Sequence, residues 1–140
     1  MKPSFFIPIP EPPAARPKLF VVVDTEEEFD WDAPFARENV SVTAIAEVGR
    51  LQRVVEPYKL KPTYVSDYPV ASTASSSSKL EEIASRGGCR IGAHLQPWVP
   101  PPFDEPLVPA MNFGSNLGAW VEGAKIAHLA AALGGTMGMT

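Results

Sequence analysis

Asp24-Thr25-Glu26 follows directly on the apolar run Leu19-Phe20-Val21-Val22-Val23. This D-x-E spacing at a strand end lets two carboxylates leave the strand on one face, where one can bind a metal while the other takes a proton. Some seventy residues on, His94 follows Gly92-Ala93, small residues that permit close approach, and Trp98 stands near enough to wall a pocket beside it. Two carboxylates and an imidazole delivered to one edge make a divalent-metal site with an adjacent base the better explanation of the set. Glu27, Glu28, Asp30 and Asp32 complete six acids in the nine residues from Asp24 to Asp32 and read as solvated loop charges. His128, in the Ala-rich tail, reads as structural or exposed.

Other chemistries lack their residues. No GxGxxG follows the first apolar run and no GxxxxGK[ST] occurs anywhere, which removes the two glycine-rich routes to nucleotide binding. Ser75 to Ser78 has no histidine nearby and no nucleophile-elbow pattern, so it reads as a loop. Cys89 is the single cysteine, which excludes an internal disulfide and a four-cysteine zinc site, and it reads as a small buried apolar residue.

The elements that must position these residues follow from periodicity. Leu19 to Val23 is continuous, β-branched and aromatic, the pattern of a strand covered on both faces. Ile45, Val48, Leu51 and Val55 recur at three- or four-residue intervals, which predicts an amphipathic helix over 43–56, stopped by Pro57. Thr63 to Ser66 reads as a short strand and Asp67-Tyr68-Pro69 as a turn. A capping box of Ser78 and Glu81 predicts a helix from Lys79 to Arg86 ending at Gly87-Gly88, and Cys89 to Ala93 predicts a third strand that delivers His94. Alternating strands and helices predict α/β architecture with parallel strands, whose carboxyl ends collect ligands. Asp24, Asp67 and His94 all fall at such ends. Leu117 to Leu133 has partial helical spacing, interrupted by glycine.

Sixteen prolines in 140 residues are about twice the usual share of roughly 5%. Six stand between Pro3 and Pro17 and six between Pro97 and Pro109, so neither tract is helix interior or central strand. The reading is a proline-rich arm over 1–18, an α/β domain over 19–116 and a Gly/Ala-rich tail over 117–140. A formal charge of -4, without a Lys/Arg run, argues against a nucleic-acid partner. Phe5 to Pro10 is too short and proline-broken for a signal-peptide core, and Glu122, Lys125 and His128 interrupt the apolar tail. No membrane partner and a cytoplasmic location are expected.

Val21-Val22-Val23-Asp24-Thr25-Glu26-Glu27-Glu28-Phe29-Asp30-Trp31, with Arg90-Ile91-Gly92-Ala93-His94-Leu95-Gln96-Pro97-Trp98 later, resembles the first two motifs of polysaccharide deacetylases, the NodB-homology carbohydrate esterases, and most nearly their WalW-like subgroup. The resemblance runs over about Leu19 to Asn116. It implies the N-terminal portion of an irregular (β/α) barrel, a carbohydrate substrate and a divalent metal such as zinc, cobalt or nickel held by one carboxylate and two histidines. Carried over, Asp24 resembles the catalytic base, Glu26 the metal carboxylate and His94 the first metal histidine, with Asp24 and Glu26 exchangeable.

Two departures accompany it. Gln96 stands where a second histidine is expected, and an amide oxygen is a weaker ligand for zinc than imidazole. The chain ends at Thr140, about half of a family domain by the resemblance, so strands that close the barrel and carry the general acid are expected to be missing, along with full activity. An unclosed barrel leaves a strand edge open to self-association. Two readings compete with the hydrolase: a non-catalytic binding module that keeps the pocket edge, and an interaction protein presenting Ile7 to Pro13 as a polyproline II ligand.

Overall fold

A computed structural model describes residue 10 and residues 16–137, without side-chain positions at 135–137. Most of the proline-rich arm, including the polyproline reading of Ile7 to Pro13 apart from Pro10, lies outside the described residues. Three short strands, β1 (Val22–Thr25), β2 (Thr63–Ser66) and β3 (Arg90–Ala93), form a parallel sheet in the order β1-β2-β3. The register sets Val22 beside Thr63 and Arg90, and Thr25 beside Ser66 and Ala93, so all three strands end level. Parallel neighbours require crossovers, and helices supply them on one face of the sheet.

The first crossover is a 3-10 turn, Thr43–Glu47, running into helix α1, Val48–Val55, and a second 3-10 turn, Glu56–Tyr58. Ile45 and Val55 are buried and Val48 and Leu51 pack partly buried against the core, as the apolar spacing predicts, and Gln52 is buried beside them. Gln52 is the polar member of that buried stripe and its amide is paired at both ends. Its Nε2 donates to the Gly88 carbonyl at 2.9 Å, and its Oε1 accepts from the Tyr64 hydroxyl at 3.1 Å. The side chain thereby fastens α1 to β2 and to the turn before β3.

The second crossover differs from expectation. Asp67-Tyr68-Pro69 is the start of helix α2, Tyr68–Ser72, and α3 covers Ala74–Ser85. Asp67 is the N-cap, its Oδ1 accepting from Val70 N–H at 2.9 Å, and proline early in the first turn has no donor to waste. The serine run lies inside α3 rather than in a loop, so the predicted capping box at Ser78 does not form the helix start. Its buried hydroxyls turn back on the backbone: Ser76 Oγ donates to Val70 O at 2.6 Å and Ser77 Oγ to Ala74 O at 3.3 Å. Small side chains that satisfy themselves let α3 approach its neighbours closely.

One core joins Val42, Ile45, Tyr64, Val70, Leu80, Ile83 and Cys89 beneath the sheet. Cys89 is buried there, and burial raises its thiol above the usual range. A second cluster packs Leu129 and Leu133 of helix α4, Ala119–Met137, against Ala71 of α2. The opposite face of the sheet has no such cover. Val22 is 61% exposed, and with Asp24, Thr63 and Val65 it lies on that uncovered face by strand alternation. The expectation of a strand buried on both faces therefore fails for β1, where burial alternates instead. Gly92 also meets the uncovered face, where an added Cβ would lie 3.0 Å from Val65 Cγ1. Among the described residues, no helix is long and apolar enough to cross a membrane.

Candidate functional site

Because the strands end level, the chain leaves each at the same height. Asp67 N–H donates to Thr25 O at 3.2 Å and His94 N–H to Ser66 O at 2.9 Å, which extends the ladder one residue past each strand. Glu26, Asp67 and His94 are consequently the first residues past three adjacent strands, Asp67 passing straight into α2. Of the three residues expected at the carboxyl edge, Asp67 and His94 stand there, whereas Asp24 lies inside β1, which runs on to Thr25, and Glu26 takes the third place.

Glu26 is the centre of it. Its Oε2 accepts from Gln96 Nε2 at 2.9 Å and lies 3.6 Å from His94 Nδ1. The imidazole Nδ1 is buried with no hydrogen-bond partner. Burial raises the Glu26 carboxyl above its ordinary range; His94 opposes the shift, while the charges of Asp24 and Asp67 add to it. Negative charge thus crowds this edge, and two neighbours with N–H groups face it. Asp24 is exposed and lines, with Glu26, a cavity of about 290 Å³ floored by Ile45, Leu51 and Tyr64. His94 belongs to the other side of Glu26.

Of the four loop acids expected to be solvated, Glu28, Asp30 and Asp32 are exposed and Glu27 is not; Glu28 is nevertheless tied down by hydrogen bonds. Glu28 Oε1 accepts from the Thr43 hydroxyl and Ala44 N–H, each at 2.6 Å, while Oε2 accepts from the Ser41 hydroxyl at 2.5 Å. Those bonds hold its carboxyl below the usual range and fasten the acidic loop to the turn before α1. Glu27 is buried, and its backbone N–H donates to Asp67 Oδ2 at 2.9 Å. Burial pushes its carboxyl up to about 9, helped by a side-chain hydrogen bond to Asp67. Two ionised carboxylates cannot hydrogen-bond each other, so burial of Glu27 beside Asp67 favours the form in which the pair shares one proton. Asp67 accepts two backbone donors besides, Glu27 N–H on Oδ2 and Val70 N–H on Oδ1.

Aromatic rings wall this edge. Phe29 stacks on Phe35 at 5.0 Å between centroids, and both lie against Trp98, at 5.4 and 4.9 Å. Trp98 is buried, and its indole N–H has no partner. Trp31 meets the edge of Phe29 at 5.2 Å and stays 70% exposed.

The donor set can be tested against a zinc-like ion. Two ligands each about 2.1 Å from a tetrahedral metal stand about 3.4 Å apart. The 3.6 Å between Glu26 Oε2 and His94 Nδ1 is close to that edge length, and the unpartnered Nδ1 is a donor without another use. Among the described residues no three His, Cys, Asp or Glu side chains group to hold an ion. The fit is therefore two good donors with the Gln96 amide as third neighbour.

No family model, curated protein or solved structure matches the chain. The site has to be read from its own atoms.

Residues that the sequence reading passed over also shape the site. The loop after Trp98 is fastened by Lys125 of α4, whose buried Nζ donates to Pro100 O at 2.8 Å and Pro102 O at 2.5 Å and pairs with Glu105 at 3.2 Å. Arg37 binds the same Glu105 Oε1 at 3.3 Å. His128, in contrast, is exposed on the same helix. A lysine in an Ala-rich helix gives no signal of burial in sequence, and Asp67, expected in a turn, is the cap of α2 instead.

Proposed function

We propose that this chain is the N-terminal part of a metal-dependent carbohydrate deacetylase-like hydrolase with an irregular (β/α) barrel of NodB type. The observation that supports it is the 3.6 Å pairing of Glu26 Oε2 with a buried, unpartnered His94 Nδ1 at the carboxyl edge of a parallel sheet. On this reading the uncovered face that carries Asp24 and Val65 is the barrel interior.

Glu26 and His94 would hold the divalent ion, zinc, cobalt or nickel, with the Gln96 amide beside them. Such an ion supplies Lewis-acid polarisation of an acyl carbonyl. Asp24, exposed at the strand end and next to Glu26, takes the proton of the attacking water. Gln96 orients the Glu26 carboxylate through its amide N–H. Phe29, Phe35 and Trp98 exclude water from one side, and the exposed Trp31 ring offers a flat face to a sugar. Glu27 is not the acid for a leaving amine, since its proton is shared with Asp67. A cytoplasmic location and self-association through the open β1 edge belong to the same proposal.

A second reading has its own observation. The Gln96 to Glu26 hydrogen bond satisfies the carboxylate without a cation, as a binding module that keeps the pocket edge without turnover would require. Metal analysis of purified protein separates the two. Stoichiometric zinc, cobalt or nickel that is lost in Glu26→Ala and in His94→Ala supports the hydrolase, with metal-dependent aryl-ester cleavage abolished in Asp24→Asn. Metal-free protein from metal-supplemented growth favours the module.

A further inference from the structure

At the opposite edge of the sheet, where the chain enters β2 and β3, the charge reverses sign. Lys59, Lys61 and Arg86 line a cavity of about 290 Å³ whose acid is Glu56 alone, and whose remaining wall is Leu60, Gly87 and Gly88. A second cavity of about 280 Å³ shares Glu56 and Arg86 and adds Arg53 and Lys79. Five cations thus stand against two carboxylates, Glu56 and Glu82, in a chain of net charge -4. Glu82 is already engaged by Lys79 at 3.0 Å and Arg86 at 3.7 Å. Among the described residues Arg53, Lys59 and Lys61 make no ion pair.

The backbone here is shaped around those side chains. Lys59 ends its 3-10 turn in the left-handed region at φ 56°, where glycine or asparagine is the unstrained choice. The left-handed residue closes the turn, with Lys59 N–H on Glu56 O and Leu60 N–H on Val55 O, and a lysine occupies it. Gly87, at φ 69°, has the Lys61 ammonium 3.7 Å from where a Cβ would stand, so bare backbone and a cation share one wall. The Gly87 and Gly88 N–H groups are used by Ala84 O and Ile83 O, so the exposed cations around the cavity are what a compact anion with several oxygens would meet.

We propose that this amino-edge cavity binds a phosphoryl group, with Lys59, Lys61 and Arg86 as its cations and the adjoining cavity open to the organic part of a phosphate monoester. The site is separate from the carboxyl edge and does not depend on the hydrolase reading. The shared chemistry is the phosphate dianion, whether free or esterified.

Calorimetric titration of the whole chain with sodium orthophosphate and with glycerol 3-phosphate, at constant ionic strength set by chloride, tests it. Saturable binding is expected, and the loss of one charge-assisted contact in Lys61→Ala or Lys59→Gly should weaken it about tenfold or more. Lys59→Gly also relieves the left-handed backbone, so its Tm should hold or rise while its affinity falls, which separates lost binding from lost folding. Tighter binding of the monoester assigns the second cavity to its organic part, and equal affinity assigns the site to free phosphate. Absence of saturable heat up to about 10 mM, enough to detect Kd values near 1 mM, overturns the proposal, as does unchanged affinity in Lys59→Gly and Lys61→Ala.

Discussion

Lys125→Met removes the one ammonium that ties helix α4 to the proline-rich loop behind the candidate site. The wild-type Nζ meets three oxygens, Pro100 O, Pro102 O and Glu105 Oε1, with no exposure to water. Methionine fills a similar volume but donates nothing, so two carbonyls and a carboxylate lose a partner inside the protein. Removing one member of a buried ion pair costs about 3–5 kcal/mol. Arg37 remains 3.3 Å from the same Glu105 oxygen, so part of the compensation survives and the expected cost is about 2–3 kcal/mol. For a chain of this length that lowers Tm by roughly 6–10 °C.

Urea denaturation of Lys125→Met, Glu105→Gln and the double variant, followed by circular dichroism, measures the loss. The double variant should be less destabilised than the sum of the singles, because the uncompensated carboxylate is gone. The pH dependence has a definite sign. Burial lowers the Lys125 ammonium from 10.5, with Glu105 opposing, so in the interval below 10.5 the unfolded chain holds more protons than the folded one. Stability from this group therefore rises with pH through that interval, and the methionine variant lacks the rise. A single variant within about 0.5 kcal/mol of wild type would refute a structural role for the clamp.

Glu27→Gln should flatten the stability profile between pH 5 and about 9: the folded carboxyl is raised from 4.5 to about 9, so its contribution is complete below 4.5 and fades as pH climbs, whereas an amide donates to Asp67 at every pH. Unchanged pH dependence of urea midpoints in the variant would contradict the shared proton. Gln96→His should tighten zinc binding about tenfold or more, since imidazole replaces an amide beside Glu26 and His94; equal or weaker binding by calorimetry means residue 96 does not face the ion. The unpaired edge of β1, with Val22 exposed beside it, should give concentration-dependent self-association in sedimentation velocity, reduced by Val22→Lys; a monomer at all concentrations refutes this.

Legibility in the sequence followed how local each cause was. Thr63–Ser66 and the third strand were readable because β-branched residues sit between proline and glycine punctuation, and the level strand ends then followed from parallel pairing. Glu26, Asp24 and His94 were readable as strand-end residues for the same reason. The fate of Glu27 was not, because it depends on Asp67 forty residues away supplying a partner inside the fold. The serine run misled because its hydroxyls find carbonyls within α3 and α2, an option that composition does not reveal. Leu19 and Phe20 read as core, yet both are largely exposed, since an apolar run reports a preference for burial and cannot create a covering layer.

Buried polar groups divide this molecule into scaffold and site. Ser76, Ser77, Gln52, Asp67 and the Lys125 ammonium are all paired, and each pairing joins two elements or closes a turn. Among the described residues seven buried side-chain atoms have no partner, and five of them belong to Glu27, Ser66, His94 and Trp98, at or just beyond the carboxyl edge. A proton shared with Asp67 meets part of the need of Glu27, and of the others His94 Nδ1 lies 3.6 Å from Glu26 Oε2. Leaving such groups unmet costs about 1–3 kcal/mol each. In α3 the buried hydroxyls of Ser76 and Ser77 are both paired, so the unmet groups at the carboxyl edge are a cost that the pairing seen elsewhere in the fold does not carry.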